Sequence, residues 1–243
     1  YNDVNELSLV LDRHWKNIAC VIVEPVAGNM GVIVPDKAFL KTLRTLTKKY
    51  GIVLIFDEVM TCFRTNLGGV QADFDIVPDM TCLGKIIGGG FPVGAYGGRK
   101  DIMRHLAPLG SVYQAGTFSG NPMVMRTGLA VLKNLTSSVY KNLNNKCERF
   151  ALTVNKMLAD NEINAHLSHY KSMMSMRFRW GSVRNYADAK TASSDKIYAK
   201  LFHHLLEAGI YWPPADLEAF FVSTKHTAKE LDHLSGQILK FFL

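Results

Sequence analysis

Two short runs constrain the fold more than anything else in the chain. Ile18-Ala-Cys-Val-Ile-Val23 and Ile52-Val-Leu-Ile-Phe56 are apolar at every position rather than at alternate ones. A strand with one wetted face alternates, whereas continuous apolar strands belong to parallel sheets covered on both faces. Between the two runs lies a stretch of helical period. Pro35-Asp36 opens it, Phe39, Leu43 and Leu46 recur along it, and Tyr50-Gly51 closes it. Parallel neighbours require such a crossover. Met80-Thr-Cys-Leu83 and Val93-Gly-Ala-Tyr96 read as further strands and Asn121–Leu135 as a long helix, which predicts an α/β fold.

After Thr136-Ser137-Ser138 the texture changes. A helix is expected over 139–160, strands at Met173–Arg179 and Phe220–Thr224, and helices at 199–208 and 228–242, together a smaller α+β domain over 137–243. An apolar fraction of 48% and a charged fraction of 20% describe a globular chain, neither fibrous nor disordered. The four cysteines, at 20, 62, 82 and 147, form no Cys-x-x-Cys and no Cys/His ligand spacing, so no metal site is expected. Dispersed thiols suit a reducing compartment. No apolar run approaches the ~20 residues of a membrane helix. The net charge of +7 is not gathered into a basic, aromatic-interleaved stripe, so anionic small molecules rather than nucleic acid are the expected partners.

Ligands of α/β sheets bind outside the carboxyl ends of the strands. Asp57 follows the second strand, Lys85 the third, and Gly116-Thr117 an expected strand at Val112–Ala115. A carboxylate at a buried strand end needs a cation or hydrogen bonds. A lysine among apolar residues and glycines, as in Leu83-Gly84-Lys85-Ile86-Ile87-Gly88-Gly89-Gly90, can have its pKa lowered and serve as an amine nucleophile. Consecutive glycines let the backbone pack against a ring or a phosphate. Singly, each feature has an ordinary use: a capping Asp, a solvated Lys, a turn. His203-His204 point about 100° apart on a helix and read as a solvated pair rather than ligands. Met173, Met174 and Met176 read as core filler.

Phe56-Asp57-Glu58-Val59, Pro78-Asp79 and the Leu83–Gly90 run, with Asp57 and Lys85 28 residues apart, resemble the class III aminotransferases, fold-type I pyridoxal-phosphate enzymes. Val23–Gly31, Pro92–Arg99, Tyr113–Pro122, Asn185–Asp188 and Gly209–Ala219 extend the likeness over nearly the whole chain, least over 137–180, and point to the family's aminomutases. The resemblance makes residues 1–136 the latter half of a large, mainly parallel cofactor-binding domain. It implies that Lys85 joins the aldehyde of pyridoxal 5'-phosphate and shuttles protons between substrate carbons. Asp57 would hold the pyridinium nitrogen protonated, and Val59 would pack on the ring. Thr117, with Gly116, would bind the cofactor phosphate of a neighbouring subunit in a homodimer, helped by backbone N–H groups at a helix start. Asn29 would contact the ring, and Glu218 would stand on the substrate side. The pyridoxamine form would carry the amino group, the substrate would be a small amino aldehyde, and the place of work the cytoplasm, or the plastid stroma in a plant or alga.

Ordinary class III aminotransferases place a carboxylate-binding arginine just before a Pro-Pro turn. Here Tyr211-Trp212 precedes Pro213-Pro214, and the 59 residues after Arg184 contain no arginine, which favours the aminomutase. Cys62 stands where the family has glycine and is expected to be tolerated at negative φ. The family's first phosphate loop, ring-stacking aromatic and substrate arginine have no counterpart, so residues upstream of Tyr1 are expected to supply them. Without them these 243 residues are expected neither to hold the cofactor tightly nor to catalyse. The alternatives are an ω- or acetylornithine-type aminotransferase with a 2-oxo acid acceptor, and a non-catalytic truncated paralogue.

Overall fold

The structure, a computed structural model, describes residues 1–243, with every side chain except that of Asp195. The chain packs as two compact units, each around its own core.

The sheet unit takes in Asp3–Pro25 and Asp36–Thr136. Its elements are α1 (Val4–His14), β1 (Cys20–Val23), α2 (Lys37–Tyr50), β2 (Val53–Asp57), α3 (Gly69–Phe74), β3 (Met80–Gly84), β4 (Gly94–Gly98), α4 (Lys100–Met103) and α5 (Pro122–Asn134). The strands lie in the order β1-β2-β3-β4, the first three parallel and β4 antiparallel to β3. Asp57 pairs with Cys82, so β2 and β3 deliver their carboxyl ends to the same edge. Helix α2 forms because Phe39, Leu40 and Leu43 share one buried face, and it stops at Gly51, whose φ of 68° a side chain would resist. Leu54 and Phe56 of β2 are fully buried.

Two expectations need correction. Residues 1–243 do not by themselves cover both faces of the sheet: β1 alternates exposed and half-buried residues, and Ile22 is 60% exposed. Val112–Ala115 is not a strand either, because no neighbouring strand offers it a ladder. Val112 makes only an isolated bridge to Leu106, and residues 111–120 are exposed throughout.

The C-terminal unit joins Tyr1–Asn2 and Val26–Pro35 to Ser137–Leu243. It contains α6 (Ser137–Asp160), β5 (His166–Tyr170), β6 (Met173–Arg177), α7 (Tyr186–Thr191), α8 (Asp195–Glu207), β7 (Phe220–Phe221) and α9 (Ala228–Phe242). The strands form an antiparallel sheet in the order β5-β6-β7. Its core draws Phe150, Val154 and Leu158 from α6, Leu201 and Leu205 from α8 and Ile238 from α9 onto Leu167, Met174 and Met176. Val26–Pro35 folds back on itself through the Ala27–Ile33 bridge and packs on Val183, Ala189 and Ala192.

Candidate active site

Asp57, Val59 and Lys85 gather where β2 and β3 end. Lys85 opens a 3-10 turn, Lys85–Gly88, at a φ of 49°. For a residue with a Cβ this left-handed conformation costs on the order of 1–3 kcal/mol and persists only where the surroundings over-determine it. Here the turn is locked onto α5. Thr127 Oγ1 donates to the Gly88 carbonyl at 3.0 Å. A Cβ on Gly89 would lie 2.6 Å from the Thr127 backbone, and one on Gly128 would run into the Ile87 carbonyl. Gly88-Gly89 therefore serve the close approach of a turn to a helix. Lys85 itself is exposed, so its apolar neighbours do not enclose the amine.

Asp57 is the last residue of β2 and half-buried. Its Oδ1 accepts the Val59 N–H at 3.1 Å, and Oδ2 has no hydrogen-bond partner among the described residues. Val59 lies against the end of β3: a Cβ on Gly84 would come 3.1 Å from its Cγ1. The edge thus brings Asp57, Val59 and the Gly84–Lys85 corner together.

Two neighbouring carboxylates are structural. Glu58 is fully buried, and its carboxylate accepts from Thr61 Oγ1 at 2.7 Å, Val70 N–H at 2.8 Å and Gln71 N–H at 3.0 Å. Strand alternation is the signal that separates it from Asp57, since consecutive residues face opposite sides. Asp79 accepts the Leu54 N–H at 2.8 Å and meets Arg44 and Arg99 at 3.0 Å each. Burial pushes its carboxyl up, but the Leu54 amide and the two guanidiniums outweigh that and hold it below the ordinary value. Cys62 is buried and its φ is not positive; the neighbouring Phe63 takes the left-handed turn at 61°. Burial pushes the Cys62 thiol up to about 12, an inert position.

Thr117 and Gly116 sit in the exposed 111–120 loop, where Ser119 N–H closes a turn on the Gly116 carbonyl at 2.9 Å. The start of α5 offers less than expected to an anion, because Asn121 Oδ1 already accepts from Met123 and Val124 N–H at 3.0 and 3.4 Å. An anion at Thr117 would rest on its hydroxyl and the loop backbone.

Asn29 and Glu218 belong to the C-terminal unit, and both are exposed. Glu218 lines a groove of about 1050 Å³ together with Trp212, Phe220, His226 and Leu234, all of this unit. Beneath the Glu218 loop lies a residue that sequence reasoning passed over: Arg177 of β6, wholly buried and paired with Asp216 at 3.3 Å. Its only sequence signal is a charge at the end of the apolar strand Met173-Met-Ser-Met176. Among the described residues no group of three or more His, Cys, Asp or Glu could hold a metal ion.

The edge presents an exposed lysine on a strained corner, with the Asp57 carboxylate at the end of the adjacent strand. Residues 2–238 match the aminotransferase class-III family, and the chain belongs to it. Its relatives include the glutamate-1-semialdehyde 2,1-aminomutases of Thermodesulfovibrio yellowstonii, 46% identical over 100% of this chain and 57% of the relative, and of Aquifex aeolicus, 48% identical over 98% and 56%. Among solved structures, a β-phenylalanine aminotransferase from Variovorax paradoxus superposes with a TM-score of 0.93 at 34% identity, covering 100% of this chain and 56% of that one. The chain spans about half the length of the curated relatives it matches.

Proposed function

We propose that the protein to which these residues belong is a pyridoxal-phosphate-dependent aminomutase that converts glutamate-1-semialdehyde into 5-aminolevulinate, the tetrapyrrole precursor, by moving the amino group from carbon 2 to carbon 1. The observation that carries this reading is the Asp57–Val59–Lys85 edge, within a chain 46–48% identical to aminomutases over nearly all its length. The residues fit the cofactor. Asp57 keeps one carboxylate oxygen open at the strand end, as a protonated ring nitrogen requires, and Lys85 presents an accessible primary amine. When bound, the cofactor supplies an aldehyde for an amine to join and a ring that draws electrons from the neighbouring carbon.

This chain's own residues have defined tasks. Lys85 Nζ holds the cofactor and, once released, carries a proton between the two substrate carbons. Asp57 keeps the ring nitrogen protonated, and Val59 presses on the ring face. The Thr117 hydroxyl, with Gly116, binds a phosphate; the exposed Tyr113 and Phe118 flanking it support a site completed across a homodimer. Asn29 contacts the ring and Glu218 the substrate. The isomerisation keeps its nitrogen, so no second oxo acid is needed, and no arginine beyond Arg184 stands ready to bind one. Four free cysteines, with no helix long and apolar enough to cross a membrane, support work in the cytoplasm or plastid stroma. The chain spans about half the length of the related aminomutases, and the isolated segment should bind cofactor weakly and not turn over.

In the complete protein, borohydride should fix the cofactor covalently on the peptide containing Lys85, and Lys85→Ala should abolish the adduct. An undiminished adduct in that variant would refute the assignment. The likeness to the β-phenylalanine aminotransferase favours a second reading, an aminotransferase with a 2-oxo acid acceptor, which demands a stoichiometric acceptor where the aminomutase does not.

A further inference from the structure

Arg177 touches both loops of the C-terminal unit that carry proposed site residues. Its Nη2 donates to the Asp216 carbonyl and to Ser175 Oγ. Its guanidinium also lies flat against the Asn29 loop: a Cβ on Gly31 would come within 2.8 Å of Cζ, and Gly31 takes a φ of 84° that only glycine adopts freely. Ser175, two residues earlier and so on the same face of β6, donates to the Glu218 carbonyl at 3.3 Å. The Asp216 carboxylate in turn accepts from Ser193 Oγ at 2.5 Å and Ser194 N–H at 2.9 Å, just ahead of α8. Tyr198 of α8 donates to the Pro213 carbonyl at 2.8 Å. The stretch 213–218 has one backbone bond of its own, Glu218 N–H to the Ala215 carbonyl at 3.2 Å. Buried side chains, not secondary structure, hold it in place.

We infer that Arg177, together with Asp216, is a positioning residue for substrate binding: it fixes the loop that carries Glu218 and seats the loop that carries Asn29, without touching substrate itself. The inference deepens the proposed function and rests on its reading of Glu218. Stability alone does not account for the pair. A buried ion pair is commonly no better than an apolar pair of the same volume. Two of the arginine's nitrogens, Nε and Nη1, lack a hydrogen-bond partner among the described residues, an added cost of burial. An apolar pair would fill the space but could not donate to the Asp216 carbonyl. What the guanidinium adds is the position of a loop.

The test uses the complete, cofactor-loaded protein and compares Arg177→Met/Asp216→Leu in two backgrounds, wild type and Glu218→Gln. The apolar pair should keep cofactor content and cooperative melting. In the wild-type background it should raise KM for glutamate-1-semialdehyde roughly tenfold with little change in kcat, the signature of lost binding. In the Glu218→Gln background the same pair should change KM less than about twofold, because the group it positions is gone. Ser175→Ala, which removes the bond to the Glu218 carbonyl together with the acceptor of Arg177 Nη2 and leaves the Asp216 pair in place, guards against a pair that fails to fold: it should raise KM roughly threefold in the first background and leave it unchanged in the second. Equal losses in both backgrounds, or an unchanged KM in the first, would overturn the inference. If Glu218→Gln alone leaves KM unchanged, the placement of Glu218 falls and the inference with it. The Lys85 adduct is untouched by either outcome.

Discussion

Asp79 sits between two guanidiniums, and that arrangement responds to pH in one direction. Arg44 and Arg99 each approach within 3.0 Å, and the Leu54 amide adds a third donor, so the folded carboxyl ionises more readily than an unfolded one. The stabilisation is therefore complete above the unfolded value of about 3.9 and is lost as pH falls through the lower folded value. Asp79→Asn should cost about 2–3 kcal/mol at pH 7 in urea unfolding, since it weakens charge-assisted bonds at a residue only 5% exposed. The gap between wild type and variant should narrow below about pH 4. A gap that stays constant down to pH 3 would contradict this account of Asp79. Lys85 shows the other residue-scale lesson: sequence flagged it through its apolar and glycine neighbours, yet those neighbours pack a turn onto α5 and leave the amine in solvent.

At the scale of elements, periodicity was readable wherever an element makes its own case. α2 declares itself by Phe39, Leu43 and Gly51, and α9 spans 228–242 as its pattern predicts. What stayed hidden depends on partners that sequence does not display. β5, His166-Leu-Ser-His-Tyr170, carries too few apolar residues to read as a strand and is held by pairing with β6. Val112–Ala115 reads as a strand but finds no ladder. Of the candidate site, Asp57 and Lys85 were readable as residues at strand ends and Val59 only through the family resemblance, whereas the Arg177 network was not readable, because its members lie at 31, 175, 177, 193 and 216. Two substitutions probe element ends. Gly51→Ala, at a helix stop with open space around it, should cost about 1 kcal/mol, and Gly51→Asn less, in thermal or urea unfolding. Gly89→Ala should cost about 3 kcal/mol, because strain at a φ of 61° adds to a collision with the backbone of α5. Equal losses at the two sites would show that the turn is not locked onto the helix.

For the whole molecule, the two units divide the labour. The sheet unit carries the lysine and the carboxylate proposed to hold the cofactor, and the C-terminal unit carries Glu218 on a loop held by buried side chains. Together they make up roughly half the length of the related aminomutases, so function is a property of the complete protein. The charge of +7 is consistent with the two anionic groups of the proposed reaction, the phosphate of the cofactor and the carboxylate of the substrate. The most direct measurement follows nitrogen. Complete protein loaded with the pyridoxamine form of the cofactor should convert glutamate-1-semialdehyde alone into an equal amount of 5-aminolevulinate, over many turnovers and with no oxo acid present. Product formation that stops after one turnover, or that requires an amino donor and 2-oxoglutarate, would contradict the account and make the protein an aminotransferase.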